Sequence, residues 1–182
     1  MATIRIDPKI YTEKPKDKRL QKEMDTYERL DMLGIGYTRI DHGETPSIDA
    51  CGEVEKILGI EICKNLFLCN ANKSSFYMLM MPGCKVFKTK ELSKQIGSSR
   101  LSFADASYME QFLKITPGSV SVLGLMNDTG GRVSLLIDKD VLHSEYVGCH
   151  PCVNTSSLKI RTNDLLHKFL PSTGHTPVFV EL

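Results

Sequence analysis

Two side chains in this 182-residue sequence ask for a chemical explanation: a lysine inside an apolar run and a histidine on a proline corner. Lys64 interrupts Ile62-Cys63-Lys64-Asn65-Leu66-Phe67-Leu68, where its neighbours favour burial. An ammonium there either sits at a sheet edge, with its stem on apolar surface and its head in water, or stands in a pocket. In a pocket it can hold a phosphate or a carbonyl oxygen. His150 lies in Gly148-Cys149-His150-Pro151. Glycine and proline around an imidazole hold it on a rigid corner, not in the middle of an element. Its ordinary pKa of about 6.5 suits general acid–base work, and its ring can bond a substrate amine or carbonyl. A surface or structural histidine is the competing reading.

The corner closes a longer segment, Thr116 to Asn154. Pro117-Gly118 opens a small-residue stretch, Ser119 to Asn127. Gly130-Gly131 makes a second turn, and Arg132 to Ile137 is strongly β-like. Glycines let a backbone approach a ligand closely. The segment is therefore read as the wall of a small-substrate pocket facing a basic groove, although a plain run of tight turns has the same composition. Asn127, Asp128 and Asn154 are turn-formers by residue type, with Asn127 or Asp128 also placed to face the pocket. Lys85, Lys88, Lys90, Lys94 and Arg100 suit a solvated face or an RNA backbone.

Other chemistries lack their residues. There is no GxSxG, and Cys149 next to His150 in sequence is a poor geometry for a nucleophile and its base. No GxGxxG or GxxxxGK[ST] supports a nucleotide-phosphate loop. Cys149-His150-Pro151-Cys152 spaces two of the six thiols like zinc ligands, but no second pair accompanies them, so no metal and no cofactor is expected. A net charge of +1 leaves any RNA contact to a local patch. With 41% hydrophobic and 25% charged residues, the chain reads as one soluble domain. The opening MATIRIDPKIYTEK lacks the apolar core of a signal peptide, and no apolar run reaches the ~20 residues that span a membrane. A cytoplasmic protein with reduced thiols is expected.

Several elements must position these residues. Residues 1–16, with Pro8 and Pro15, read as a flexible arm, and 17–182 as a single domain. Leu20, Met24, Tyr27 and Leu30 mark a helix over Lys18 to Leu33. Tyr37 to Ile40 is a strand. Ser47 or Asp49 caps a helix that ends at Gly59. Ile62 to Cys69 and Phe76 to Met81 predict an antiparallel hairpin. Helices are expected at Thr89 to Ile96 and Asp105 to Leu113, and strands at Arg132 to Ile137, Glu145 to Val147 and Ser156 to Ile160. A helix capped by Asn163 and running through Phe169, then a strand at Val178 to Val180, complete the chain. No regular βαβ rhythm appears. The class is α+β, a curved, mostly antiparallel or mixed sheet flanked by helices.

Taken in order, CKNLFLCN at 63–70, IGSSRLSFADASYMEQFLKITPGSVSVLGLMND at 96–128, GRVSLLIDKDVL at 131–142, GCHPCVNTSSLKI at 148–160 and the closing LPSTGHTPVFVEL resemble the YbaK-type family. These are aminoacyl-tRNA editing domains related to the insertion domain of bacterial prolyl-tRNA synthetase. The similarity covers roughly residues 20–182 and is strongest to the free-standing prolyl-tRNA editing proteins of the ProX or PrdX type. It implies a mixed α/β domain that hydrolyses the ester between a wrong amino acid and a tRNA, with alanine on proline tRNA as the substrate. Partners so implied are the acceptor end of a mischarged tRNA and prolyl-tRNA synthetase. Lys64 stands at the family's lysine, and His150 with Asn154 match its HPxxN segment. The family's GxxxP loop, which lines the amino-acid pocket, is here Gly118-Ser119-Val120-Ser121-Val122, with valine replacing the proline. Ser47 stands where a threonine is common. The resemblance makes Lys64, Gly118 and His150 catalytic, and Ser47, Ser119, Val120, Ser121, Val122, Asn127, Gly148 and Asn154 substrate-binding. The replaced proline keeps two alternatives open: a cysteine or serine substrate, or an aminoacyl-tRNA binder without hydrolysis.

Overall fold

The computed structural model describes residues 5–44 and 52–182. The helix expected from Met24, Tyr27 and Leu30 is α1 (Gln21–Met32), with Tyr27 and Leu30 fully buried. β1 (Tyr37–Asp41) follows, then α2 (Gly52–Leu58), whose Val54 and Leu58 pack on Ile40 and Ile62. β2 (Lys64–Cys69) and β3 (Phe76–Met81) form the expected hairpin, running in register from Lys64 opposite Met81 to Cys69 opposite Phe76. α3 (Thr89–Gln95), the short β4 (Ser102–Phe103) and α4 (Ala106–Leu113) come next. A 3-10 turn, Val122–Asn127, leads to β5 (Val133–Asp138), and a second, Lys139–His143, to β6 (Tyr146–Cys149) and β7 (Ser156–Arg161). α5 (Thr162–Asp164), a π-helical turn at Leu165–Phe169, α6 (Leu170–Thr173) and β8 (Val178–Val180) end the chain.

The α+β class holds, with two sheets instead of one. Five strands lie in the order β4-β2-β3-β5-β8. The pairs around β2 are antiparallel, and β3, β5 and β8 run parallel. The order β1-β7-β6 makes an antiparallel three-stranded sheet. The larger sheet is covered on both faces, which explains why β2 and β3 read as continuous apolar runs without alternation. Phe67, Cys69, Phe76, Met78 and Met80 enter the main core under α1 and α4. Leu68, Leu79 and Met81 face a second core with Leu92 of α3.

In the arm at 1–16, residues 5–11 lie along the outer edge of β1. Tyr11 and Arg39 exchange backbone hydrogen bonds of 2.9 and 2.7 Å, and Asp7 donates to the Asp41 carbonyl at 2.9 Å. The edge of β1 otherwise offers unpaired backbone groups, and the arm satisfies them. Asn163 lies inside the last helix and not at its cap: the helix begins at Thr162, whose N–H and hydroxyl bond the Glu145 and Ser144 carbonyls. It also runs past Phe169, through Pro171. The π turn widens the ladder just where proline cannot donate. The expected cap of α2 lies outside the described residues. No described helix is long and apolar enough to cross a membrane.

Among the described residues, one isolated bridge joins the two sheets. Ile62, just before β2, pairs in parallel with Gly148 of β6, and Cys63 N–H donates to the Gly148 carbonyl at 3.0 Å. A Cβ on residue 148 would stand 2.8 Å from Ile60 Cδ1 and 3.0 Å from the Ile62 Cα. The junction is therefore closed to any side chain. Gly148→Ala is expected to destabilise the fold by about 1–3 kcal/mol through this overpacking, as a lowered midpoint of urea unfolding. A midpoint equal to that of wild type would show that the junction gives way freely.

Candidate active site

Three segments meet at the junction of the sheets: the start of β2, the turn at Thr116–Val122 and the corner at Gly148–Ser157. Pro117 sets up the turn, and Gly118 completes it with φ at +84°, the left-handed position of a type II turn. Ser119 closes it by donating N–H to the Thr116 carbonyl at 3.1 Å, and its hydroxyl donates to the same oxygen at 2.8 Å. Ser121 ties the turn to the corner. Its hydroxyl donates to the His150 carbonyl at 2.6 Å and accepts from Leu123 N–H at 3.2 Å. Val122 ties the turn to β2, donating N–H to the Asn65 side-chain oxygen at 3.0 Å. Gly118 itself lies against Asn154, whose Nδ2 is 3.4 Å from where a Cβ would be.

Parity along the joined strands sorts the side chains. Two residues beyond the bridge at Ile62 and Gly148 stand Lys64, at the start of β2, and His150, just past the end of β6. Along β2 the side chains alternate. Asn65 falls on the opposite side, toward Val122 and the main core. The Lys64 ammonium, half-buried, donates to the Lys85 carbonyl at 2.6 Å. His150 has Nδ1 at 2.8 Å from the Ser156 carbonyl. A carbonyl only accepts, so Nδ1 carries the proton. Burial pushes the imidazole pKa down to about 4; the Ser156 carbonyl works against the shift and the nearby His42 ring adds to it. At neutral pH His150 is thus uncharged, a hydrogen-bond acceptor and not a proton-donating imidazolium.

The remaining predicted residues divide. Ser119 and Ser121 are buried and serve the turn itself. The Val122 side chain packs wholly in the main core, and Val120 lies against it. Asn127 donates its side-chain amide to the Leu113 carbonyl at 3.0 Å and so closes the end of α4. Asp128 accepts from Arg132 and Val133 N–H at 2.9 and 2.8 Å, bracketing the Gly130-Gly131 turn. Ser47 lies outside the described residues. The expected basic stretch is partly neutralised: Lys85 pairs with Asp138 and Asp140, and Lys88 with Glu91. Cys149 and Cys152 are buried; burial raises both thiol pKa values, Cys152 to about 11. Among the described residues no three His, Cys, Asp or Glu gather as a metal site would require.

Sequence reasoning passed over Asn65 and His42. Asn65 carried a signal, being a polar residue on the core-facing parity of an apolar strand. His42, beyond β1, carried none. A hollow of about 300 Å³ also opens at the junction. Its walls are Gly59 to Glu61, Cys63, Pro82, Val141 and Ser144 to Val147, and they include neither Lys64 nor His150.

Because the folded imidazole of His150 titrates near 4 and an unfolded one at 6.5, only the unfolded chain takes up this proton between those values. Stability is then full above pH 6.5 and is lost as pH falls toward 4, by up to about 3 kcal/mol from this group. Burial also lowers the His42 pKa and adds in the same direction. Urea unfolding between pH 7 and 4 should show the decline, and His150→Asn should flatten it; an unchanged slope in the variant contradicts the assignment.

Residues 42–168 match the aminoacyl-tRNA editing domain family. The prolyl-tRNA editing protein ProX of Acetoanaerobium sticklandii is 35% identical over 85% of this chain and 93% of its own. Prolyl-tRNA synthetase associated domain-containing protein 1 of Danio rerio is 30% identical over 88% of this chain and 86% of its own. A solved structure described as a candidate trans-editing enzyme for prolyl-tRNA synthetase superposes with a TM-score of 0.65 at 14% identity, over 91% of this chain and 99% of that one. It shares the fold. Matched span and identity agree: this chain belongs to the aminoacyl-tRNA editing domain family.

Proposed function

We propose that this protein is a free-standing deacylase that hydrolyses the ester between a wrong amino acid and a tRNA, with alanine on proline tRNA as its substrate. The observation that carries the reading is the convergence of the Lys64 strand, the Gly118 turn and the His150 corner at the sheet junction of an editing-family chain. The acceptor end of the mischarged tRNA is the ligand, prolyl-tRNA synthetase is the partner whose errors it removes, and the cytoplasm is where it acts.

An aminoacyl ester is already activated, so the site needs to position it and stabilise charge; no protein nucleophile is required. Water attacks, helped by the ribose hydroxyl of the terminal adenosine. The Lys85 carbonyl takes one of the three ammonium hydrogens of Lys64, which leaves two for a phosphate or the ester carbonyl. Ser119 and Val122 N–H are used by Thr116 and Asn65, so other backbone amides of the Gly118 turn orient the substrate. His150 and Asn154 line the amino-group end. A pocket sized for alanine excludes proline because overpacking costs about 1–3 kcal/mol.

Purified protein incubated with proline tRNA charged with alanine should release alanine, and faster than it releases serine or cysteine. Lys64→Ala should lower the rate about a hundredfold, the scale of one lost charge-stabilising donor. Alanine loss no faster than in buffer, or Lys64→Ala equal to wild type, contradicts the reading. Faster release of serine or cysteine reassigns the amino acid, and tRNA binding without turnover leaves a binder.

A further inference from the structure

His42, just beyond β1, and Ser157, in β7, form a hydrogen-bonded line that ends on His150. Chemistry fixes the direction of each bond. The Gly43 carbonyl lies 2.7 Å from His42 Nδ1 and can only accept, so His42 carries its proton there and presents a lone pair at Nε2. Ser157 Oγ, 2.9 Å from that Nε2, must then donate. This turns the hydroxyl's lone pairs toward His150 Nδ1, 3.5 Å away and already donating to the Ser156 carbonyl at 2.8 Å. The two imidazoles stand 6.1 Å apart, inclined at 59°. Both are locked as the same tautomer. Among the described residues, His150 Nε2 makes no hydrogen bond, and burial keeps both rings neutral at pH 7.

We propose that His42 is a positioning residue: acting through Ser157, it fixes the His150 ring so that Nε2 is a bare acceptor for the α-ammonium group of the aminoacyl ester. The inference rests on the deacylase reading of the site. It also narrows the substrate class. An α-ammonium has three donors and no acceptor, which matches a neutral lone pair and would be repelled by an imidazolium. An N-acylated aminoacyl ester has lost two of those donors and its charge. The site therefore takes esters of free amino acids and rejects blocked ones.

The test uses the full chain, alanyl-tRNA and N-acetyl-alanyl-tRNA, and nitrogen-15 NMR of the imidazoles. Wild type should show His150 neutral with its proton on Nδ1 and should prefer the free amine. His42→Ala should lower kcat/KM for alanyl-tRNA about tenfold, mainly through KM, as the loss of one hydrogen bond does. It should narrow the preference over the N-acetyl ester and admit the second His150 tautomer. His42→Gln offers a carbonyl to the Ser157 hydroxyl and should recover most of the loss. Should His42→Ala not fold, Ser157→Ala carries the same expectations. An unchanged His150 tautomer in both alanine variants, or equal loss for free and blocked substrates, overturns the proposal. A wild type without deacylation ends the deacylase reading instead, while the NMR comparison still decides whether His42 positions His150.

Discussion

Gly148 and Ile62 approach so closely that no side chain fits between them, and this contact joins the two sheets. Residues far apart in sequence become neighbours through it. One step past the bridge, Cys63 and Cys149 enter the main core together; two steps past come Lys64 and His150. The Gly118 turn then seats itself on both strands, bonded to Asn65 of one and to the His150 carbonyl of the other. Moving the junction by one residue would reverse every side chain about it.

The late corner is fixed from below by a buried ionic cluster. Asp41 accepts from Arg19 at 2.8 Å and is paired with Arg39, and the Ser156 hydroxyl donates to it at 2.6 Å. Burial works against the Asp41 charge, but the bonds from Arg39, Ser156 and Arg19 outweigh it and hold its pKa below the ordinary value. Arg39 is only 2% exposed, so removal of its carboxylate partner would strand a charge away from water. The carbonyl of the same Ser156 orients His150. Charge at the base of α1 and β1 is thus converted into the placement of one imidazole. The arm at residues 5–11 covers the open edge of this sheet and lays Tyr11 against Arg39, 4.3 Å from its guanidinium.

Much of this was legible in the sequence because it is local. The spacing of Met24, Tyr27 and Leu30 gave α1, and two apolar runs around Asn70-Ala71-Asn72-Lys73 gave the β2–β3 hairpin. The Pro117-Gly118 turn was visible for the same reason. What escaped depends on distant partners. Nothing in residues 5–11 announces that β1 lacks a neighbour. The role of Asn127 is decided by a carbonyl fourteen residues earlier, and that of Val122 by a core assembled from most of the chain. His42 becomes notable only when β7 brings Ser157 between it and His150.

The central claim is that substrate sits beyond the bridge, against the Lys64 strand, the Gly118 turn and the His150 corner. Amide chemical-shift mapping with a non-hydrolysable alanyl-adenosine amide tests this most directly. The account predicts shifts centred on Asn65, Gly118, Val120, His150 and Asn154. Shifts centred instead on the hollow of Glu61, Cys63, Glu145 and Tyr146, or no shifts at saturating ligand, would contradict it.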